Sequence, residues 1–154
     1  LSLNEARSYI KCYMADTGLL FSHAFDEDPD IAKSIYSAII GDKLSINKGM
    51  LYENLIAQML VANNHKLYFY TRYNEEKRRN DIEIDFLITS GDKTNVKISP
   101  IEVKSSKNYT TISLERFMQI YKKRVKNAYI IHPKNLVIRE DGIICIPAYM
   151  TFCL

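Results

Sequence analysis

The chain has few cysteines, and their placement argues against a cysteine-based site. Cys12, Cys145 and Cys153 are scattered among the 154 residues, with no CxxC pair and no Cys/His cluster at zinc spacing. A structural zinc site and a disulfide framework are therefore not expected. Buried, reduced thiols are the expected state, which indicates a reducing compartment and a cytoplasmic protein.

Long apolar runs and glycine-rich loops are also missing. No stretch approaches the roughly 20 apolar residues of a membrane helix, and the N-terminus lacks the layout of a signal peptide. No repeat, low-complexity segment, glycine-rich cofactor loop or nucleophile–base constellation occurs. These absences argue against a membrane protein and a small-molecule enzyme. Because the chain begins at Leu1 rather than Met, we expect it to be part of a longer protein.

The composition is that of an ordinary globular domain. A chain of 154 residues, 47% hydrophobic and 25% charged, is long enough to form one domain with its own core. The net charge of +3 is compatible with a nucleic-acid partner, but it is too small to predict one by itself.

The apolar periodicity predicts an α/β layer architecture. After a turn at Asp16-Thr17-Gly18, residues 28–41 are predicted to form a helix, and residues 1–48 an N-terminal extension packed on the core. The core, 49–154, belongs to the same compact domain. Its predicted elements are a helix (49–63), a three-stranded antiparallel-type meander (67–71, 82–88, 96–104), a helix beginning at Ser113, a strand (128–131) and a C-terminal hairpin (136–146). Pro100 suggests that the third strand lies at an edge or contains a bulge.

Alternation in the second and third strands places two acidic side chains opposite each other. One face of the second strand is predicted to be apolar and contains Ile82, Ile84, Phe86 and Ile88. A four-residue hairpin loop, 92–95, then pairs Phe86 with Ile101 and Asp85 with Glu102. Directly opposed residues have Cβ atoms about 4.5–5.5 Å apart, where like charges repel. A bound proton or a divalent cation such as Mg²⁺ would relieve that repulsion.

Two interpretations of this polar face remain open at this point. In the first, Lys104 lies beside the two acids and stabilises a nearby hydroxide or the developing charge of phosphoryl transfer. In the second, Glu83 and Lys104 form an ordinary exposed ion pair that contributes about 0–1 kcal/mol. Asp85 and Glu102 would then be solvated on the outer face of the sheet.

The spacing of these residues resembles a known nuclease signature. Asp85, followed seventeen residues later by Glu102-Val103-Lys104, is similar to the PD-(D/E)XK motif of restriction-endonuclease-like proteins. The resemblance implies a restriction-endonuclease-like core in which Asp85 and Glu102 bind Mg²⁺ or Mn²⁺ and Lys104 assists the attacking water. Glu53, on the first core helix, matches an additional acid found in many members. The sequence departs from the motif at Ile84, where the family pattern has proline.

A second resemblance covers nearly the whole chain. The ordered segments 13–19, 49–54, 84–86, 101–105 and 146–150 are similar to an uncharacterised C-terminal domain that follows AAA+-type ATPase modules in bacteria and archaea. This implies an N-terminal ATPase domain as a partner in the parent chain. No G-x-x-x-x-G-K-[ST] loop occurs, so this part should not hydrolyse ATP. The expected function is a metal-dependent, nuclease-like domain acting on or binding DNA; the alternative is an inactive module for DNA binding, partner docking or regulation of the ATPase.

Basic residues flank the motif on both sides. Lys77, Arg78 and Arg79 precede the strand of Asp85, and Lys107 follows Lys104. They are candidate phosphate contacts on a nucleic acid. A charged run in a loop is also compatible with a solvated surface.

Overall fold

The predicted order of helix, three strands, helix and strand is present in the structure, a computed structural model that describes residues 10–25, 48–91, 95–106 and 108–154. The predicted helix over 28–41 lies outside these residues. The helices are α1 (Thr17–Phe25), α2 (Lys48–Ala62), α3 (Ile112–Ile120) and a C-terminal 3-10 helix (Ala148–Cys153). The strands are β1 (Tyr68–Asn74), β2 (Arg79–Ser90), β3 (Lys97–Val103), β4 (Ala128–His132), β5 (Val137–Ile138) and β6 (Ile143–Pro147).

The six strands form one mixed sheet in the order β1-β2-β3-β4-β6-β5. β1, β2 and β3 form an antiparallel meander, and α3 provides the crossover that allows β4 to lie parallel to β3. β6 is parallel to β4, while β5 and β6 form the predicted antiparallel hairpin. The α/β class is therefore confirmed.

Helices cover both faces of the sheet, and each face has its own apolar cluster. The buried cluster on the α3 side contains Ile82, Ile84, Leu87, Ile98, Leu114, Phe117, Ala128, Ile130, Ile143 and Cys145. The buried cluster on the α2 side contains Ile56, Ala57, Leu60, Phe86, Ile101, Ile131 and Ile146. Because full burial of one large apolar side chain contributes about 1.5–3 kcal/mol, these two layers hold the sheet between the helices.

A β-bulge interrupts β2 at the position of the first motif acid. Tyr68 pairs with Leu87 and Tyr70 pairs with Ile84, so β2 has one more residue than β1 between these pairs. One extra residue reverses the alternation of side chains. Ile84 consequently packs on the α3 side and Phe86 on the α2 side. The prediction that they share one face was wrong, because period-two alternation does not anticipate a bulge.

The predicted register of the β2–β3 hairpin is confirmed from Phe86↔Ile101 to Ser90↔Lys97. The paired ladder ends at Phe86↔Ile101, immediately before Asp85. The expected edge position of β3 was wrong, since β3 lies between β2 and β4. Pro100 is accommodated there because the ladder with β4 begins only at the next residue, Ile101.

The N-terminal extension contributes a short helix to the described residues. Asp16-Thr17-Gly18 was predicted as a turn, but it begins α1 instead: the Asp16 Oδ1 accepts a hydrogen bond from the Leu19 N–H at 3.0 Å. This is the geometry of an N-cap, in which a carboxylate satisfies a free N–H of the first turn. Within the described residues, no helix is long and apolar enough to cross a membrane.

Candidate metal-binding site

A buried asparagine on α2 ties the N-terminal segment to the sheet. Asn54 accepts a hydrogen bond from the Met14 N–H at 2.8 Å and donates to the Met14 carbonyl at 3.1 Å. Its amide also donates to the Thr17 hydroxyl at 2.9 Å. We call residues 11–17 the N-terminal strap. These bonds hold the strap against α2, and its Lys11 and Tyr13 side chains contact Asp85 and Phe86 of β2.

The strap delivers a lysine between two predicted site residues. Lys11 Nζ lies 3.0 Å from Glu53 Oε1 and 3.3 Å from Asp85 Oδ1, with Glu83 Oε1 at 4.0 Å. The Tyr13 hydroxyl donates to the same Glu53 oxygen at 2.6 Å. Burial lowers the pKa of Lys11, but the neighbouring Asp85 and Glu53 raise it overall. Lys11 is therefore a firmly charged cation that joins the two carboxylates.

Asp85 is oriented by the end of the β2–β3 ladder. Its Oδ2 accepts the Val103 N–H at 2.8 Å, where β3 would otherwise continue its pairing with β2. Burial raises the pKa of Asp85, as does the charge of Glu53, whereas the Val103 N–H and Lys11 act in the opposite direction. Because of the bulge, the Asp85 carboxylate accepts a backbone hydrogen bond that fixes its orientation at the sheet surface.

Glu102 is the most deeply buried charged side chain of the motif. It lies on the central strand β3, opposite Ile130 of β4, and is 2% exposed. Lys104 Nζ is 2.7 Å from its Oε2, but this approach lacks hydrogen-bond geometry, and neither oxygen has a hydrogen-bond partner among the described residues. Burial raises the pKa of Glu102, whereas the nearby Lys104 ammonium and Leu114 N–H lower it without reaching full hydrogen-bond geometry. Glu102 is therefore a buried carboxylate with unused acceptor capacity.

These groups surround a polar cavity of about 210 Å³, which is lined by Glu83, Asp85, Glu102, Lys104, Thr110 and Ser113. Ser113, where this helix was predicted to begin, lies in the first turn of α3, and its hydroxyl accepts the Glu83 N–H at 3.4 Å. At about 30 Å³ per water, the cavity could contain a cation with several water ligands. A second cavity of about 460 Å³ lies on the Lys11 and Glu53 side, and Glu83 borders both.

The structure brings three of the four predicted catalytic residues to one cavity. Asp85, Glu102 and Lys104 line it, whereas Glu53 lies beyond Asp85 and contacts it through Lys11. Among the described residues, no three His, Cys, Asp or Glu side chains converge in a group that could hold a metal ion. The ammonium of Lys11 accounts for the separation of Glu53 from Asp85.

The predicted phosphate contacts lie away from this cavity. Lys77, Arg78 and Arg79 are exposed at the β1–β2 turn. Arg79 is six residues from Asp85 along β2, which corresponds to about 20 Å at 3.3 Å per residue. Lys107 lies outside the described residues, so its predicted contact has no structural counterpart here.

Two side chains of the cluster were not predicted, namely Lys11 and Tyr13. Lys11 is 42 residues from Glu53 and 74 from Asp85, and neither distance follows a helical or strand period. The only signal in the sequence was the similarity of segment 13–19 to a known family, which begins two residues after Lys11.

Comparison with known families gives one match. Residues 48–150 match the family model described as a domain of unknown function, DUF4143. The chain belongs to this family. DUF4143 domains are typically associated with AAA-type ATPase proteins, in agreement with the resemblance of the ordered segments. Glu53, Asp85, Glu102 and Lys104 lie inside the matched DUF4143 region, and Lys11 lies before it. No match to a curated protein or to a solved structure was found.

Proposed function

We propose that this DUF4143 domain is a metal-dependent, nuclease-like module with a PD-(D/E)XK-type site, and that its substrate is a DNA phosphodiester. The observation that carries the proposal is the buried Glu102 carboxylate, which has no hydrogen-bond partner among the described residues and borders a polar cavity with Asp85 and Lys104. A buried carboxylate is costly when an ion pair with one lysine is its only compensation and no hydrogen bond satisfies it. A site that binds a cation for function is one reason for a chain to maintain such a group.

The donor set fits a hard divalent cation. Asp85 and Glu102 offer carboxylate oxygens, and Mg²⁺ or Mn²⁺ prefers oxygen ligands, with water completing the coordination shell. The half-exposed Glu83 lies at the rim of the same cavity and could bind through water. When bound, such a cation lowers the pKa of a water and polarises a phosphoryl oxygen, which is the chemistry that phosphodiester hydrolysis needs.

The protein's own residues would hold and orient the reacting groups. The Val103 N–H fixes the Asp85 carboxylate, and the backbone N–H of Lys104 donates to the Ile131 carbonyl at 2.8 Å, which anchors the lysine at the end of β3. The Lys104 ammonium borders the cavity, where it could contact a phosphate oxygen and stabilise developing negative charge. The order of helix, meander, helix and parallel strand is similar to the common core of restriction-endonuclease-like proteins and supports the proposal.

A cleavage assay with matched variants tests the proposal. We expect the purified protein to nick supercoiled plasmid DNA with Mn²⁺ and to stop when the metal is chelated. Asp85→Asn and Glu102→Gln should each abolish cutting, because they remove a metal ligand. Lys104→Met should do the same, because it removes the ammonium group that stabilises developing negative charge. Glu76→Gln, at the exposed β1–β2 turn, is the charge-matched control and should cut like the wild type. Cutting that persists in the Asp85 and Lys104 variants would refute the mechanism.

A second candidate function is a non-catalytic module that binds DNA or a partner, or regulates an attached ATPase. It is favoured by the internal charge compensation of the cluster, in which Lys104 pairs with Glu102 and Lys11 joins Glu53 to Asp85. This alternative requires no divalent cation. A melting temperature and a DNA affinity that millimolar Mg²⁺ or Mn²⁺ leaves unchanged would favour it.

A further inference from the structure

The chain places one of its own cations on the Glu53 side of Asp85. Lys11 Nζ lies within 3.3 Å of one oxygen from each carboxylate, and the Tyr13 hydroxyl also binds the Glu53 oxygen. Both carboxylates would otherwise face each other in a partly buried environment. The ammonium therefore lies where a divalent cation shared by Glu53 and Asp85 would have to bind.

The position of Lys11 is held by the strap on both sides of Tyr13. Asn54 binds the backbone of Met14 through both its N–H and its carbonyl, and the Thr17 hydroxyl donates to Gln58 at 2.9 Å. The Tyr13 ring packs on Phe86, with ring centroids 5.4 Å apart. The strap is thus anchored by polar and apolar contacts, which fix the position of Lys11 beside the two carboxylates.

The opposite side of Asp85 has a different character. There the cavity is bordered by the Glu102 carboxylate, which has an ion pair with Lys104 at 2.7 Å but no hydrogen-bond partner among the described residues. Asp85 consequently lies between two positions that a cation could occupy. The first, between Glu53 and Asp85, is filled by Lys11, and the second, beside Glu102, has acceptor oxygens without hydrogen-bond partners.

We propose that Lys11 is a positioning residue that confines the divalent cation to the Glu102 side of Asp85, and that removing its ammonium opens a second divalent-cation site between Glu53 and Asp85. The confinement of the cation rests on the proposed function, whereas the position of Lys11 stands independently of it. Glu53 then holds Lys11 through an ion pair and Tyr13 through a hydrogen bond, and it does not bind the metal. The Lys11 ammonium also lies between the Asp85 and Glu53 carboxylates.

Titration with Mn²⁺ alone, followed by calorimetry, tests this proposal on the full chain. We expect one bound Mn²⁺ in the wild type, two in Lys11→Met, and one again in the double variant Lys11→Met/Glu53→Gln. Lys122→Met is the matched control, because Lys122 is exposed just beyond the C-terminal end of α3, while the cavity lies at its N-terminal end. This control should bind like the wild type, as should Lys11→Arg, which retains the charge.

A second variant keeps the test decisive if Lys11→Met does not fold. Glu53→Gln in the wild-type background should reduce Mn²⁺ affinity far less than Glu102→Gln, for which we expect a loss of about tenfold or more. Equal losses in the two variants would make Glu53 a metal ligand and would overturn the proposal.

The outcomes separate this proposal from the proposed function. One Mn²⁺ of equal affinity in the wild type and in Lys11→Met overturns the role of Lys11 and leaves the nuclease-like proposal standing. No binding in the wild type, together with one Glu53-dependent ion in Lys11→Met, supports the role of Lys11 and overturns the metal-dependent function. No binding in either protein overturns both.

Discussion

Replacing Glu102 with glutamine should stabilise the domain when no divalent cation is added. The side chain is 2% exposed, and its oxygens have no hydrogen-bond partner among the described residues. Leaving a buried neutral polar group without a hydrogen-bond partner costs about 1–3 kcal/mol, and a charged group costs more. The ion pair with Lys104 offsets about 0–1 kcal/mol of that cost, because the lysine side chain remains 25% exposed. Glutamine retains the shape and an unpaired amide but removes the charge, so only the charge-dependent part of the cost is recovered, and the expected net gain at neutral pH is about 1–2 kcal/mol.

The gain should disappear in acid. Burial raises the pKa of Glu102 above its ordinary value of 4.5, so the folded protein keeps a proton that the unfolded chain has already lost. Stability of the wild type therefore falls as pH rises from the unfolded pKa through the folded one. Below the unfolded pKa, Glu102 is neutral in both states, and the variant has no charge left to remove. Burial also raises the pKa of Asp85, so this residue adds a pH dependence of its own in both proteins.

Urea denaturation with a chelator present measures the effect at two pH values. Glu102→Gln should unfold at a higher urea concentration than the wild type at about pH 8 and at the same concentration at about pH 3.5. Glu76→Gln, an exposed control, should match the wild type at both. A variant that is less stable at the higher pH, or equally stabilised at both, would refute the account of Glu102 as a buried charge that Lys104 compensates only in part.

Two further predictions concern the packing that supports the site. Asn54→Ala should remove the bonds that hold the strap and speed amide hydrogen exchange at Met14, with a stability loss of about 1–3 kcal/mol; unchanged exchange would mean that other contacts hold the strap. Phe117→Ala should lower the free energy of unfolding, measured by urea denaturation, by about 3–5 kcal/mol. The ring is 1% exposed, and its centroid lies 5.1 Å from that of Tyr70. A loss below about 1 kcal/mol would contradict its central place in the α3-side core.

Much of the fold follows from local patterns. The helix over 49–63 and the strand over 128–131 were predicted within one residue of α2 and β4, because their apolar periodicity is regular and their ends are marked by turn residues. The β2–β3 register was correct from Phe86 onward, because apolar matching and a short loop leave few alternatives.

The errors in the fold arise where tertiary structure overrides period-two alternation. The bulge in β2 moves Phe86 to the opposite face from Ile84, and no local signal marks it. Pro100 was expected at an edge or a bulge, yet β3 is a central strand, and the proline is tolerated because the ladder with β4 begins just after it. In both cases the deviation adjoins the motif acids. The irregular backbone there frees the Val103 N–H to bind Asp85 instead of continuing the ladder.

The candidate site shows a sharper limit of sequence reasoning. Spacing alone grouped Asp85, Glu102 and Lys104, since two adjacent strands bring them together. Among the described residues, two cations lie within 4.0 Å of these acids: Lys104 beside Glu102, and Lys11 from the strap. Residue spacing could not predict the second of them. That second contact depends on Asn54 binding a segment 40 residues away. The electrostatic balance of the motif is thus set by a residue outside the motif, and Asp85 cannot be assigned a cation without considering Lys11.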